Sequence, residues 1–255
     1  MKKFLVLVFL TALAAAGASA RQQTDLLPAD GGDIQITPIM HSSVQLQYAG
    51  KVIQVDPVSK YDNVDLPLLG KFDALKPADL ILVTDIHPEN LDIDEIVKIR
   101  KPGAPVVMPS AVAEQAGAKI SAPVTLMANG DMKTVAGISI ETIPMYNIMH
   151  GLKPGEPYHP KSRGNGYILT LGGKRIYFSG DTECTPEIKA LTNIDVAFLP
   201  MNMPTTMTPS EVVECIKAFQ PKIFYPYHYE GQKRDEALVK AFLKDAPTEI
   251  RVNLK

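Results

Sequence analysis

Asp79-Leu80-Ile81-Leu82-Val83-Thr84-Asp85-Ile86-His87-Pro88-Glu89-Asn90 reads as a buried strand that ends in a loop able to hold a metal ion. The apolar run at 80–83 is short and unbroken, as expected of a strand covered on both faces. Ligand-type side chains then recur at every second position, Asp85, His87 and Glu89, with Asn90 beside the last. A loop leaving a strand can aim such residues at one divalent ion, and a helical pattern over 91–101 would hold its far side. The competing reading is a polar turn that caps the next helix, with Asp92 or Asp94 as the cap. Asn90 stands where a histidine would be the stronger ligand.

Working outward, strand patterns occupy 34–36, 44–48, 51–55, 105–108, 124–127, 138–143, 166–171, 174–178, 195–199, 223–225 and 249–253. Ala49-Gly50 and Gly172-Gly173 mark hairpin turns. Helical patterns lie at 93–100, 111–116 and 235–243. Another helix starts at Thr185-Pro186-Glu187, with proline at its first position. Thr208-Pro209-Ser210-Glu211 is a capping box that opens an amphipathic helix to Phe219. The stretches 50–56 and 173–181 both read as turn, strand, then aspartate, with strand and helix patterns after each. Either this is a chance likeness of two hairpins, or the chain is an α/β protein of two similar halves, sheets inside and helices outside.

Residues 1–20 are read as a signal peptide: Lys2 and Lys3, an apolar stretch over 4–16, and Ala18-Ser19-Ala20 as a cleavage site. The apolar run is short for a bilayer span, and no cysteine follows that would carry a lipid anchor. Residues 21–255 are therefore expected to form one exported domain, periplasmic or secreted, with no membrane span. Removing Lys2 and Lys3 takes the formal charge from -2 to -4. That balance offers no footprint for nucleic acid. Cys184 and Cys215 are the only cysteines. Cys215 is read as core on an apolar helix face and Cys184 as a bystander near the suspected site, with a bridge the less favoured reading.

A metal hydrolase needs imidazoles and carboxylates that converge while one coordination position stays open. Of the five histidines, His87 follows a buried strand between two carboxylates. His228, within Tyr225-Pro226-Tyr227-His228-Tyr229, follows another strand end and could equally be an aromatic-packed core residue. His150 and His159 lie in a Gly/Pro-rich loop at 146–166, a length typical of binding lids. His41 precedes a strand and is expected only to hydrogen-bond. Gly180 would allow a sharp turn that thrusts Asp181 out of the sheet edge.

The order His41-Ser42-Ser43, Val55-Asp56-Pro57, the loop after Val83, Gly180-Asp181-Thr182 and Pro226-Tyr227-His228-Tyr229 resembles the metallo-β-lactamase-fold hydrolase superfamily. It is most similar to the branch related to the lactonase and phospholipase D-like members. The resemblance spans nearly all of residues 21–255 and implies a four-layer αββα sandwich. That family carries His-x-His-x-Asp-His after a strand, and its four ligand positions fall here on Asp85, His87, Glu89 and Asn90. The loop histidine would be supplied by His159, or else by His150. Asp181 matches the metal-bridging aspartate and His228 the final histidine.

The resemblance thus implies one ion on Asp85, His87 and His159 with Asp181 bridging. A second ion would sit on Glu89, Asp181 and His228, with Asn90 offering an amide oxygen. Asp181 and Glu89 would be the catalytic carboxylates. The cofactor is expected to be one or two divalent ions, zinc foremost, although carboxylates in place of imidazoles suit manganese or iron better. The partner would be a small molecule with an ester, lactone, amide or phosphodiester bond, and nothing selects a β-lactam. Walls are expected from 146–163 and 201–207, where Lys161 and Arg163 could either receive an anionic group or be solvated loop surface. The alternative is a non-catalytic binding protein that keeps the fold without a competent centre.

Overall fold

The computed structural model describes residues 24–59, 75–228, 239–241, 244 and 247–251. The first sheet has seven strands in chain order. These are β1 (Asp25–Leu27), β2 (Ile34–Met40), β3 (Ser43–Tyr48), β4 (Lys51–Val55), β5 (Leu80–Leu82), β6 (Val106–Met108) and β7 (Val124–Leu126). The second sheet runs β8 (Met132–Val135), β9 (Ile138–Met145), β12 (Gly164–Leu171), β13 (Lys174–Phe178), β14 (Val196–Pro200), β15 (Ile223–Tyr227) and β16 (Glu249–Ile250). A small hairpin, β10 (Gly151–Lys153) and β11 (Glu156–Pro157), stands apart from both.

Pairing repeats between the sheets. In each, the first four strands are antiparallel and the remainder parallel. Apolar residues from both inner faces, among them Ile36, Leu46, Ile53, Ile140, Leu169 and Phe178, form one core between the sheets. The outer face of the first sheet packs on α1 (Ile93–Ile99) and α2 (Ser110–Ala116) through Ile81, Val83, Ile96 and Val112. The outer face of the second packs on α3 (Pro186–Lys189) and α4 (Pro209–Phe219) through Tyr177, Ala197, Ile188 and Val212. The layering is αββα, as the sequence led us to expect.

The two halves also share their electrostatic anchors. Asp79 precedes β5 and accepts from the Val52 backbone N–H at 2.8 Å and from Lys101 at 2.8 Å. Asp195 precedes β14 and accepts from the Arg175 N–H at 2.9 Å and from Lys222 at 2.8 Å. Each aspartate ties the start of the first parallel strand to its hairpin neighbour, so the likeness of the two hairpins is structural.

Local signals act as read. Thr208 and Glu211 close the capping box of α4, a feature whose loss typically costs ~1 kcal/mol. Thr185 caps α3 ahead of Pro186. Asp92 caps α1, its carboxylate accepting from Glu95 N–H at 3.1 Å. The expected signal peptide at 1–20 and most of the helix at 235–243 lie outside the described residues. Among the described residues, no helix is long and apolar enough to cross a membrane.

One expectation is corrected. Cys184 and Cys215 form a disulfide with Cα atoms 5.5 Å apart. Cys215 does lie on the buried face of α4. That face packs against the segment that follows Asp181, which brings Cys184 to it across 31 residues of sequence, a separation that patterning does not reveal.

Asp195 yields a pH prediction. Burial opposes its charge, but the Lys222 and Arg175 hydrogen bonds outweigh burial and hold its carboxyl below the ordinary value of 3.8. A carboxyl lowered on folding adds stability above its unfolded pKa and loses it as pH falls through the folded one. Asp195→Asn should therefore unfold at lower urea concentration than the parent at pH 7. The gap should close as the buffer is acidified below about pH 4, and a gap constant with pH would rule this anchor out.

Candidate metal centre

Strand polarity places the site. The carboxyl ends of β4, β5, β9, β13, β14 and β15 open at one edge of the paired sheets, the usual location of ligand sites in parallel α/β sheets. Asp56, Thr84–Asn90, Tyr146, Asp181, Met201 and His228 leave from that edge, and Arg163 enters β12 there. Asn165 N–H donates to the Thr84 carbonyl at 2.9 Å and Tyr167 Oη to the Val83 carbonyl at 2.8 Å. These bonds lock the first-sheet loop to the second sheet.

Asp181 reaches the edge through Gly180, whose φ is +66°. A side chain at Gly180 would collide with the Met145 sulfur and stand 3.2 Å from Thr84 Cβ. Only glycine fits both the dihedral and the space. Asp181 is buried, and its Oδ1 accepts from His228 Nδ1 at 2.8 Å. Its Oδ2 has no hydrogen-bond partner. Burial would raise the Asp181 pKa, but His228, His87 and His159 together hold it well below the ordinary carboxylate range.

Around that open oxygen stand His159 Nε2 at 3.6 Å and His87 Nδ1 at 3.9 Å, with Asp85 Oδ2 3.3 Å from His87 Nδ1. One ligand atom from each of Asp85, His87, His159 and Asp181 can be chosen so that all lie within 4.8 Å of one another. Asn147 Oδ1 holds His159 Nδ1 at 2.5 Å. That contact leaves Nε2 bare and aimed at the centre, as when a metal-ligating histidine donates its other ring N–H to a neighbouring acceptor. Burial pushes the His159 pKa down, which keeps it the neutral ligand a metal requires. An unpartnered buried carboxylate oxygen facing two imidazoles and a second carboxylate fits one divalent ion.

The second set does not assemble in the same way. Asn90 turns its amide nitrogen towards Thr84 Oγ1 at 2.9 Å, Asp56 Oδ2 at 3.3 Å and His228 Nε2 at 3.4 Å. Asp56 itself binds Thr84 N–H at 2.8 Å and Thr84 Oγ1 at 2.6 Å. Burial pushes the Asp56 pKa up to about 7, against those same bonds. Glu89 lies outside the four-residue group, and its backbone carbonyl accepts from Ser42 Oγ at 2.6 Å. A hydrogen-bonded network therefore stands where the resemblance implied the second ion. His41 packs edge-on against His228, ring centroids 4.4 Å apart, and accepts the His228 N–H on its carbonyl.

His150 lies away from the group. Its Nδ1 is 2.5 Å from the Thr206 carbonyl and its backbone N–H donates to Glu183 at 2.6 Å. Lys161 bonds Glu187 at 2.6 Å. Arg163 forks onto Asp85, Nε to Oδ1 at 3.0 Å and Nη2 to Oδ2 at 2.7 Å. Lys161 and Arg163 are thus both paired with carboxylates. Sequence reasoning missed the roles of Asn147 and Asp56. An asparagine twelve residues before a histidine carries no local signal, whereas Asp56 at a strand end could have been paired with Thr84.

The family model of the β-lactamase superfamily domain matches residues 35–228, and the chain belongs to that family. A protein of Thermococcus kodakarensis named a metal-dependent hydrolase is 34% identical over 165 residues, 61% of this chain and 70% of its own. The crystal structure of a protein from Parabacteroides distasonis, described as a candidate metal-dependent hydrolase, superposes with a TM-score of 0.79 at 38% identity. It covers 91% of this chain and 98% of that one. A metallo-hydrolase of Ignicoccus hospitalis, 20% identical with a TM-score of 0.68 over 86% of this chain and 94% of its own, shares the fold.

Asn147→Ala frees the His159 ring and removes its orienting acceptor. Loss of such a partner typically weakens metal binding by about 10–100-fold, and zinc titration against a chromophoric chelator should show a drop of that size. An unchanged affinity would mean that Asn147 only braces the loop.

Proposed function

We propose that the chain is a metal-dependent hydrolase of the metallo-β-lactamase superfamily, exported, with a single-ion centre on Asp85, His87, His159 and Asp181. The observation that carries the reading is the buried Asp181 Oδ2, without a partner and facing both imidazoles. The membership and the names of the relatives in Thermococcus and Parabacteroides support it. Two imidazoles and two carboxylates form a donor set that zinc, manganese and iron all accept.

A divalent ion held there supplies Lewis acidity and lowers the pKa of a coordinated water towards ~7. The protein's own residues prepare the place. His228 donates to Asp181 Oδ1 and so turns Oδ2 towards the centre. Asn147 fixes which nitrogen of His159 is bare. Asp56, Thr84 and Asn90 brace the loop that carries Asp85 and His87, which limits reorganisation during reaction. Asp181, ionised and buried, is placed to accept a proton from a nucleophilic water.

The substrate is a small molecule carrying an ester, lactone, amide or phosphodiester bond. Ile148, Met149 and Leu152 on the 146–163 segment and Met203 after β14 are exposed. Asn147 ties the two segments through the Thr205 carbonyl at 3.0 Å. These walls favour a substrate with an apolar substituent. Export is supported by the basic and apolar pattern of residues 1–20 and by the Cys184–Cys215 bridge, a bond that persists in oxidising compartments. A second reading, a binding protein without turnover, draws on the Arg163 fork over Asp85.

Metal analysis of the purified protein should find close to one ion per chain, with turnover of at least one of those bond classes that is lost on chelation and restored by zinc, manganese or iron. Asp181→Asn should cut that turnover by at least about 100-fold, the scale of losing a catalytic proton acceptor, while leaving the circular dichroism spectrum unchanged. Retained metal without turnover on any class would favour the binding protein. No retained metal and no turnover with added ions would sink both. Export has its own check: intact-mass measurement on protein recovered from the periplasm or medium should give a chain beginning at Arg21.

A further inference from the structure

Arg163 stands in the metal centre as a rival cation. Its guanidinium takes both oxygens of Asp85 and reaches His87 Nε2 through Nη2 at 3.2 Å. Asp85 is fully buried and the Arg163 side chain largely so. The loop is built to deliver it: Arg163 N–H closes a turn onto the Pro160 carbonyl at 3.3 Å, and Ser162 adopts a left-handed φ of +72°. A non-glycine residue in that region is uncommon and mildly strained, and such strain gathers at functional sites.

A guanidinium can only donate, so His87 Nε2 must accept and the ring proton must sit on Nδ1, facing Asp85 and Asp181. That arrangement is incompatible with ligation by His87 through either nitrogen. If Nδ1 ligates, the proton moves to Nε2 and meets the Arg163 N–H donor to donor. If Nε2 ligates, its lone pair is no longer available to Arg163. The carboxylate of Asp85 is likewise shared between a fixed cation and any ion that arrives.

We propose that Arg163 is a resident competitor whose withdrawal from His87 accompanies metal loading, so that the chain holds its ion less tightly than its four ligands alone would. The inference rests on the single-ion reading above. In the metal-free protein Arg163 neutralises Asp85. In the loaded protein it is released towards the cleft.

The test uses the chelator-stripped protein and zinc alone, followed by calorimetry and by competition with a chromophoric chelator. Arg163→Met should bind the first zinc at least about tenfold more tightly than the parent, since it removes a like charge from the site. Arg163→Lys keeps the charge but cannot fork, and should fall between the two. It also covers the case in which Arg163→Met, with Asp85 left unpaired, fails to fold. Lys161→Met, on the same loop but paired with Glu187, should bind as the parent does. In the parent, one equivalent of zinc should shift the Arg163 Nε–H resonance in a nitrogen-correlated NMR spectrum. Equal or weaker zinc binding by both Arg163 variants, or an unmoved Arg163 resonance in a zinc-loaded parent, would overturn the competitor alone. Absence of zinc binding by parent and variants alike would overturn the metal centre and the competitor together.

Discussion

A charged carboxylate buried where two sheets meet has to be neutralised, and the site follows from how that is done for Asp181. Water is excluded from it, so the desolvation cost must be met by neighbouring groups. His228 neutralises one oxygen from β15. His87 and His159 approach the other from the first sheet and from the long loop, too far away for hydrogen bonds. The three histidines converge from three separate stretches of chain, and the converging loops hold the edge of the sandwich in a single arrangement. The stabilising partner of Oδ2 is the piece the polypeptide itself does not provide, which is why the geometry points to an ion.

Charge within the centre is limited in consequence. Asp85 and Asp181 bring two negative charges, and Arg163 returns one positive. A single divalent ion then leaves the cluster with one net positive charge, and neutral once Arg163 withdraws. Two ions would leave it strongly positive in a buried setting, with neither a histidine at position 90 nor a carboxylate from Glu89 in the group to receive the second. Asn90 instead joins Asp56 and Thr84. The loop that reads as an altered metal motif is therefore braced through the Asn90 amide nitrogen, while Asn90 Oδ1 is buried without a hydrogen-bond partner.

Much of this was legible in the sequence because it is local. Strand periodicity, the Gly172-Gly173 turn, the Thr208–Glu211 box and the position of Gly180 before Asp181 are all set within a few residues, and the fold confirms them. His87 and Asp85 were legible because ligand types alternate after a buried strand. What did not show was pairwise contact across sequence distance. Neither the fork of Arg163 onto Asp85 nor Asn147 at His159 has a signature in spacing, and both depend on how the 146–163 segment folds back over the edge. The Cys184–Cys215 bridge escaped for the same reason. The strands β1, β8, β10 and β11 were missed because they are short, polar or solvent-facing, so their patterns are weak.

The duplicated architecture explains why the aspartates that follow its two matching hairpin strands take different roles. Both halves present a hairpin strand, β4 or β13, whose carboxyl end opens at the same edge, and both anchor the next strand with an aspartate and a lysine. At the end of β4 the chain places Asp56 directly at the edge, with a φ of +40°, where it is consumed by Thr84 and Asn90. At the end of β13 two further residues intervene, and Ser179 occupies the equivalent backbone position: its N–H bonds Phe198 on the next strand just as Asp56 N–H bonds Leu82. Gly180 then carries Asp181 beyond the sheet. That extra reach separates a carboxylate that braces a loop from one that faces an open site, so a two-residue extension on a repeated scaffold turns Asp181 towards the centre that Asp85 and His87 of the first half also line.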